Sequence, residues 1–228
     1  AKHCSQVMRH REGDEVIVFN GVGDVAHARI ATIKKHEVVL ECIASQHIEP
    51  PAVRIMLAPG LIKADRWEWL LEKATELGAT EIQPLVTERC VVKLSTDDAA
   101  RKHDKWQRLI IEASKQCRRA WVPVLHPVCR LDEWSAKEVS ADLSLVAALD
   151  EQTVMIKHPA RVFSAPASRS ATSARIVVGP EGDFTRDELS ALIARGFTCV
   201  SLGALTLRAE TASIAALAFL SAELNTEH

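Results

Sequence analysis

Two short segments near the end of the chain carry side chains that could take part in chemistry. The first, LGALTLRAETA (202–212), places Arg208, Glu210 and Thr211 at the entrance of a predicted helix. A guanidinium can stabilise developing negative charge, and a carboxylate can accept a proton, when either is held against a reacting group. The alternative is structural: Glu210 is then an acid favoured by the helix dipole, and Arg208 is half of a salt bridge.

The second segment, VVGPEGDFTRDEL (177–189), joins an apolar run to another helix start. We expect Gly182 to supply backbone angles that other residues rarely adopt, and Thr185 to form a capping box with Glu188. Glu181 is a further candidate proton acceptor, or else a surface residue of a turn. Neither segment has the Lys-Ser/Thr pair of a phosphate-binding loop. Together they indicate a ligand held through backbone groups, such as a nucleoside, unless both are ordinary turns.

The elements around these segments alternate between strand and helix. We predict strands at 53–59, 80–86, 143–149, 175–178 and 198–203, and helices at 64–77, 97–119, 186–195 and 210–224. This alternation predicts an α/β fold with a parallel sheet covered by helices on both faces. Both segments follow a strand, and open α/β sheets bind ligands at the carboxyl ends of strands. The Ser/Ala/Pro-rich stretch 157–174 is expected to be a mobile connection.

A smaller domain is predicted before residue 50. Residues 14–43 contain three short β-branched runs, which are typical of hairpins. Gly21-Val-Gly23-Asp-Val-Ala26 fits a dinucleotide fingerprint, but the residues after it alternate like a strand, so we interpret it as a hairpin turn. The prolines of Glu49-Pro50-Pro51 indicate a boundary, which gives domains at 1–50 and 51–228. Because the chain opens at Ala1 in a segment that looks mid-element, we expect its N-terminus to be incomplete.

Composition narrows the class of protein only moderately. Of the 228 residues 47% are hydrophobic and 25% charged, and the net charge is -2. The six cysteines are scattered without a C-x-x-C pair, which is typical of a reduced, cytoplasmic protein. The nine histidines show no metal-ligand spacing, and no apolar run reaches the length of a membrane span. We therefore expect neither a metal nor a membrane.

A local basic surface is nevertheless predicted. Between positions 101 and 119, seven basic residues stand against two acids, a local charge of +5 on a predicted helix. Lysine and arginine neutralise RNA phosphates, although a charged helix is usually only a solvated face. The candidate RNA-binding residues here and elsewhere are Arg9, Arg11, Lys63, Arg89, Lys115, Arg118 and Arg119.

The last predicted helix gives a separate indication. Its residues 212–220, ASIAALAFL, are apolar nearly all round. A helix of this kind is buried on all sides. We therefore predict that the same chain and a second copy cover it in a homodimer; complete burial within one chain is the alternative.

The two segments and three further stretches resemble one family. GPEGDFTRDEL and LGALTLRAETASIAAL are similar to the signature loops of the 16S ribosomal RNA uridine-N3 methyltransferases of the SPOUT superfamily. Three further stretches are similar to this family: EKATELG (72–78) with Glu88-Arg89-Cys90, the stretch from Trp106 to Val122-Pro123, and the stretch from His3 to Asp14. The likeness covers nearly the whole chain. It departs at Ala204-Leu205, where many relatives carry an arginine two residues after the L-G, and at Asp183, where a second glycine is commoner.

This resemblance implies a trefoil-knotted SPOUT domain over residues 51–228 and a small PUA-like β-barrel, which helps hold RNA, over 1–50. It implies S-adenosyl-L-methionine as methyl donor, and a homodimer through the knot and the last helix. The expected substrate is N3 of a specific uridine in the decoding region of 16S rRNA in the 30S subunit. The cofactor-binding residues implied are Leu149, Gly179, Pro180, Glu181, Gly182, Leu202, Gly203, Leu207, Arg208 and Thr211.

The reaction at uridine N3 sets what the site must supply. The nitrogen carries a weakly acidic proton and must lose it before it attacks a methyl group, so catalysis needs a base or a group that stabilises the anion. Arg208 could stabilise the anionic base through O2 or O4, and Glu210 or Glu181 could take the proton.

Three other functions stay open. The chain could be a SPOUT methyltransferase for another RNA or for a ribose hydroxyl, although the predicted barrel and the E-R-C stretch disfavour it. It could bind RNA without catalysis, since position 205 lacks arginine. A cofactor-binding oxidoreductase is disfavoured by the strand that follows the glycine motif at 21–26.

Overall fold

A computed structural model of the protein describes residues 10–137, 141–147 and 170–224. The chain divides into two compact units. Ala1–Pro50 and Arg118–Val122 form the first, and Pro51–Cys117 and Pro123–His228 form the second. The sequence does not predict that residues 118–122 group with the first unit.

The first unit is built on antiparallel strands. These are β1 (Glu15–Phe19), β2 (Asp24–Ile33) and β3 (Val38–His47), and they form a three-stranded sheet in the order β1-β2-β3. Gly23 has a φ of +103°, and β2 begins at the next residue. Because no helix follows the glycine motif, its interpretation as a hairpin turn is confirmed. Trp121 joins this unit by donating from Nε1 to Ile48 O at 2.8 Å.

The second unit contains parallel strands. They are β4 (Arg54–Pro59), β5 (Glu81–Ile82), β6 (Leu85–Val86), β7 (Val124–Leu125), β8 (Cys129–Arg130), β9 (Leu143–Ala147), β10 (Ser173–Val178) and β11 (Thr198–Val200). In the described ranges six of them form one sheet in the order β11-β9-β10-β4-β5-β7, with every neighbouring pair parallel. β6 and β8 form a separate parallel pair. The predicted parallel sheet is confirmed, and β10 lies inside it between β4 and β9.

Helices connect these strands. They are α1 (Ala64–Glu76), α2 (Thr96–Gln116), α3 (Leu131–Ser135), α4 (Arg186–Ala194) and α5 (Ala209–Leu224). α1 buries Trp67, Leu70, Leu71 and Ala74, which recur at helical spacing and share one face. It packs against α2 and α5, and α5 also contacts β4 and β10.

Several boundaries differ from the prediction. The expected strand 80–86 is two strands in different sheets, because Pro84 between them cannot donate a ladder hydrogen bond. α2 ends at Gln116 and not at 119, since Arg118 adopts a φ of +60°. β7, β8 and α3 are absent from the prediction because two to five residues are too few to show a periodicity. Most of the expected connection 157–174 lies outside the described residues.

α5 is covered on one face only. Ser213, Ala216, Leu217 and Leu220 are buried, whereas Ala215 and Ala218 on the other side are partly exposed. The described residues of one chain therefore leave one side of the helix partly exposed, and its cover by a second copy stays a prediction. No helix in the described part of the chain is long and apolar enough to cross a membrane.

Candidate functional site

The first candidate loop follows β10 and runs from Gly179 to Phe184. Pro180 O accepts a hydrogen bond from Asp183 N at 2.9 Å, which closes a tight turn. Asp183, not Gly182, has the left-handed φ of this loop, at +56°. Aspartate tolerates this region better than most residues, and here its Oδ1 also accepts from Phe184 N at 2.8 Å. Position 183, where relatives more often carry glycine, thus has a backbone conformation that favours glycine. The expectation that Gly182 supplies such backbone angles is wrong.

Gly182 is required for space. A Cβ atom at this position would lie 2.9 Å from Arg89 Cβ and 3.0 Å from Arg89 O, closer than real Cβ contacts. Arg89 in turn donates from Nη1 to Gly182 O at 3.2 Å. The loop is therefore packed directly on the segment 88–90 of the E-R-C stretch.

The capping box predicted at the start of α4 is confirmed. Thr185 Oγ1 accepts from Glu188 N at 3.2 Å, and Glu188 Oε2 accepts from Thr185 N at 2.9 Å. The second carboxylate oxygen of Glu188 accepts from Glu88 N at 2.8 Å. One side chain thus fixes both the helix start and the segment on which the loop packs.

The second candidate loop lies between β11 and α5. Gly203 has a φ of +132°, and no atom of the described residues lies within 4 Å of a Cβ built on it. Here the backbone conformation, and not space, favours glycine. Ser201 Oγ donates to Gly203 O at 3.1 Å, which holds the loop as it leaves β11.

The two loops enclose a cleft of about 280 Å³ at the carboxyl ends of β9, β10 and β11. Its walls are mainly aliphatic side chains and loop backbone, with few charged groups, as in sites for small organic ligands. The lining residues are Ala147, Val178, Gly179, Pro180, Glu181, Asp183, Val200, Leu202, Gly203, Leu205, Thr206, Leu207, Arg208, Ala209 and Ala212.

Most of the predicted cofactor-binding residues lie at this cleft. Gly179, Pro180, Glu181, Leu202, Gly203, Leu207 and Arg208 line it, whereas Gly182 and Thr211 do not. Leu149 lies outside the described residues. Leu205, at the position without the family's arginine, is 77% exposed at the rim. Strand-end residues such as Ala147 and Val200 also line the cleft, and nothing in the sequence distinguishes them from other apolar strand residues.

Of the two candidate proton acceptors, only Glu181 is among the cleft-lining residues. Glu210 is 8% exposed, and its Oε1 lies 3.7 Å from Arg66 Nε. Its Oε2 is buried and has no hydrogen-bond partner within the described ranges. Arg66 Nη1 also lies 4.0 Å from Glu181 Oε1. Sequence reasoning missed Arg66, which belongs to no motif and meets both acids only through the tertiary fold.

The predicted RNA-binding residues fall in both units. Lys63, Arg89 and Lys115 belong to the second unit, and Arg11, Arg118 and Arg119 to the first. Arg9 lies outside the described residues. Because α2 ends at Gln116, Arg118 and Arg119 are not part of the helix on which they were expected.

The basic surface of α2 is partly neutralised. Three of its basic side chains form ion pairs, Arg101 with Asp98, Lys105 with Glu68, and Lys115 with Glu112. Among the residues that the structure describes, no group of three or more His, Cys, Asp or Glu side chains could hold a metal ion.

Comparison with known proteins identifies relatives along the whole chain. A family model described as an RNA methyltransferase domain matches residues 49–221, and one described as an RNA methyltransferase PUA domain matches residues 1–42. The ribosomal RNA small subunit methyltransferase E of Synechocystis sp. is 34% identical over 226 residues, which make up 97% of this chain and 70% of that protein.

Two solved structures are also similar. One is described as a methyltransferase from Legionella pneumophila in complex with the bound cofactor SAM; it is 32% identical, with a TM-score of 0.87 over 97% of this chain and 88% of that one. The other is a ribosomal RNA small subunit methyltransferase E from Neisseria gonorrhoeae bound to S-adenosyl methionine. It is 29% identical, with a TM-score of 0.82 over 95% of this chain and 86% of that one.

Proposed function

We propose a specific reaction for this chain, which belongs to the ribosomal RNA small subunit methyltransferase E family. It transfers a methyl group from S-adenosyl-L-methionine to N3 of a specific uridine in the decoding region of 16S rRNA. Membership rests on the family match over residues 49–221 and on 34% identity to the Synechocystis protein. The methylated atom, the nucleotide and the assembled 30S subunit as substrate are the proposed part. The observation that carries the proposal is the cleft between the two loops, with Arg208 among its lining residues.

The cleft fits S-adenosyl-L-methionine by its chemistry. Leu202, Leu205 and Leu207 offer an apolar wall to an adenine ring, and the backbone of 179–181 and 202–203 offers N–H and C=O groups to polar edges. Bound there, the cofactor would supply an electrophilic methyl group.

Within this proposal, the chain's own residues orient the uridine and manage its proton. Arg208 is exposed at the cleft and could donate to O2 or O4 as negative charge develops on the base. Glu181 lines the cleft, so its carboxylate is the better placed proton acceptor. Glu210 lies off the cleft wall beside Arg66, which supports a structural role for it.

The strand order supports a knotted second domain. After β9 the chain forms β10 on one side of it and β11 on the other. α5 then returns to contact β10 and β4. This strand order is compatible with a trefoil knot, and we propose that residues 51–228 form one. The match of residues 1–42 to a PUA domain supports a PUA-like barrel that holds RNA in the first unit.

We also propose that two copies associate through the knot and α5. The support is the partly exposed apolar side of that helix, which carries Ala215 and Ala218. The proposed RNA contacts are the basic residues named above, acting on phosphates. The proposed place of action is the cytoplasm, where ribosomal subunits assemble.

The decisive experiment is to incubate the protein with labelled S-adenosyl-L-methionine and 30S subunits lacking the modification, then digest the rRNA and identify the labelled nucleoside. A single 3-methyluridine near the 3′ end of 16S rRNA is the expected result. Label in another nucleoside would overturn the proposed target atom. No label with cofactor binding intact would indicate a different RNA, and no cofactor binding would leave a binding protein.

A further inference from the structure

Arg66 lies beside the cleft, between Glu181 and Glu210. It sits in the first turn of α1, and its side chain is 34% exposed. One wall presents Glu181, from the loop after β10, with Oε1 4.0 Å from Arg66 Nη1. Glu210, in the first turn of α5 and off the cleft wall, has its Oε1 3.7 Å from Arg66 Nε. Two different nitrogens of one planar guanidinium therefore approach two acids, one in the loop after β10 and the other in the first turn of α5.

Glu181 lines the cleft, and Glu210 is close in sequence to residues that line it. Glu181 lines the cleft and follows Pro180, which also lines it, and Glu210 follows Arg208 and Ala209, which line it too. A displacement of either carboxylate therefore shifts backbone that faces the ligand. By contrast, Arg66 is not among the lining residues, so it acts on the cleft only through these acids.

The burial of Glu210 makes its ion pair with Arg66 important for stability. A carboxylate that is nine-tenths buried is costly unless it is paired, and its Oε2 has no hydrogen-bond partner in the described part of the chain. Its one described ion pair is with Arg66, so removing the guanidinium would leave a buried carboxylate with only the start of the helix to stabilise it. The first turn of α5 would then relax, and Arg208 and Ala209 would move with it.

The spacing also explains why the residue is arginine. Both distances exceed that of a hydrogen bond, so the two contacts are ion pairs. A guanidinium is planar and presents several donors in a fixed fork, so it can serve two carboxylates at once, whereas a lysine ammonium is a point charge on a flexible stem.

We propose that Arg66 is a positioning residue that ties the first loop of the cofactor cleft, through Glu181, to the start of α5, through Glu210, directly after the second loop. The inference rests on the proposed function, since it takes S-adenosyl-L-methionine to be the ligand of that cleft. Its effect belongs to cofactor binding: without the tie the loops are less often in the binding geometry, and apparent affinity falls by that fraction.

The test compares Arg66→Ala with Lys73→Ala by calorimetric titration of S-adenosyl-L-methionine. Lys73 is a close match, since it lies on the same helix, is 30% exposed and pairs with two glutamates, Glu72 and Glu76, but both are on its own helix. We expect Arg66→Ala to raise Kd roughly tenfold, Arg66→Lys to restore part of the loss, and Lys73→Ala to bind like the wild type. In turnover, KM for the cofactor should rise more than kcat falls.

Equal Kd values for Arg66→Ala and Lys73→Ala would overturn the positioning role. A wild-type chain that binds no S-adenosyl-L-methionine would instead overturn the proposed function. If Arg66→Ala does not fold, Glu181→Gln keeps the test open, because Glu181 is an exposed loop residue. Glu181→Gln should raise the Kd for S-adenosyl-L-methionine by itself. Combining it with Arg66→Lys should raise that Kd little further, because both changes weaken the same contact. A wild-type Kd for Glu181→Gln would contradict the proposed contact.

Discussion

At the scale of single residues, the cleft depends on a few side chains whose surroundings define them. Asp183 holds the left-handed turn, Gly182 gives the loop room against Arg89, and Gly203 allows the second loop to leave its strand. Arg208 is then the cationic side chain that the loops present at the cleft. Arg208 is proposed to act in the reaction and Gly182 in cofactor binding, so separate measurements can test the two roles.

Arg208→Ala should reduce kcat by about a hundredfold or more, the usual effect of removing one donor to a developing anion. Cofactor affinity should change much less. Methyl transfer to 30S subunits and cofactor titration measure the two quantities. Arg186→Ala is the control, since Arg186 is an exposed arginine at the start of α4 and does not line the cleft. A kcat for Arg208→Ala equal to that of the control would remove Arg208 from the mechanism.

Gly182→Ala should weaken binding of S-adenosyl-L-methionine by about tenfold, because its methyl group must displace the backbone of Arg89 or the loop itself, which costs on the order of 1–3 kcal/mol. Gly196→Ala is a useful comparison. Gly196 has a φ of +85° with open space around it in the described structure and lies off the cleft, so that variant should lose about 1 kcal/mol of stability and bind normally. Unchanged binding by Gly182→Ala would show that the loop can adjust freely.

At the scale of elements, long periodic segments were predictable and through-space contacts were not. The apolar residues of α1 recur at helical spacing, α5 is a long apolar run, and the capping box marks the start of α4 in the sequence itself. β7 and β8 have two residues each, too few for any pattern. Arg66 meets Glu181 and Glu210 only because α1 and α5 pack together, and local sequence does not encode that packing.

A pH-dependent contact links β5 and the end of β7. Glu81 in β5 lies 2.7 Å, Oε2 to Nε2, from His126, which directly follows β7. The hydrogen bond from His126 lowers the pKa of Glu81 below its ordinary value of 4.5, against the opposing effect of burial. A depressed carboxyl pKa contributes stability that is present above the unfolded-state pKa and is lost as the pH falls through the folded-state pKa.

Glu81→Gln should therefore be less stable than the wild type near pH 6, and the gap should close as the pH falls below about 4.5. Urea unfolding of both proteins between about pH 6 and pH 3 measures this gap. A gap that stays constant over the range would mean that ionisation of Glu81 does not contribute to stability.

At the scale of the whole molecule, the two sides of α5 have different functions in our proposal. Ala216 is 2% exposed and belongs to the core of its own chain. Ala218 lies on the other side of the helix and is partly exposed. A bulky charge at the first position should disrupt folding, and at the second it should disrupt association between copies.

Ala218→Arg should give a folded monomer where the wild type is a dimer, as measured by sedimentation velocity alongside thermal denaturation. Ala216→Arg should melt well below both, because a buried arginine without a partner costs several kcal/mol. A dimer that survives Ala218→Arg would place the interface elsewhere.

The position of β10 inside the sheet also bears on how the protein is made. Its first residue, Ser173, pairs with Arg54 of β4, so the two strands meet across more than half the length of the chain. During synthesis, β4 leaves the ribosome long before its partner exists, and parallel pairings between such distant segments form slowly. The hairpins β1-β2-β3 involve neighbours and can form early. Nascent chains arrested before residue 173 should therefore contain a protected hairpin region and an open strand edge, which makes β4 a natural target for chaperones.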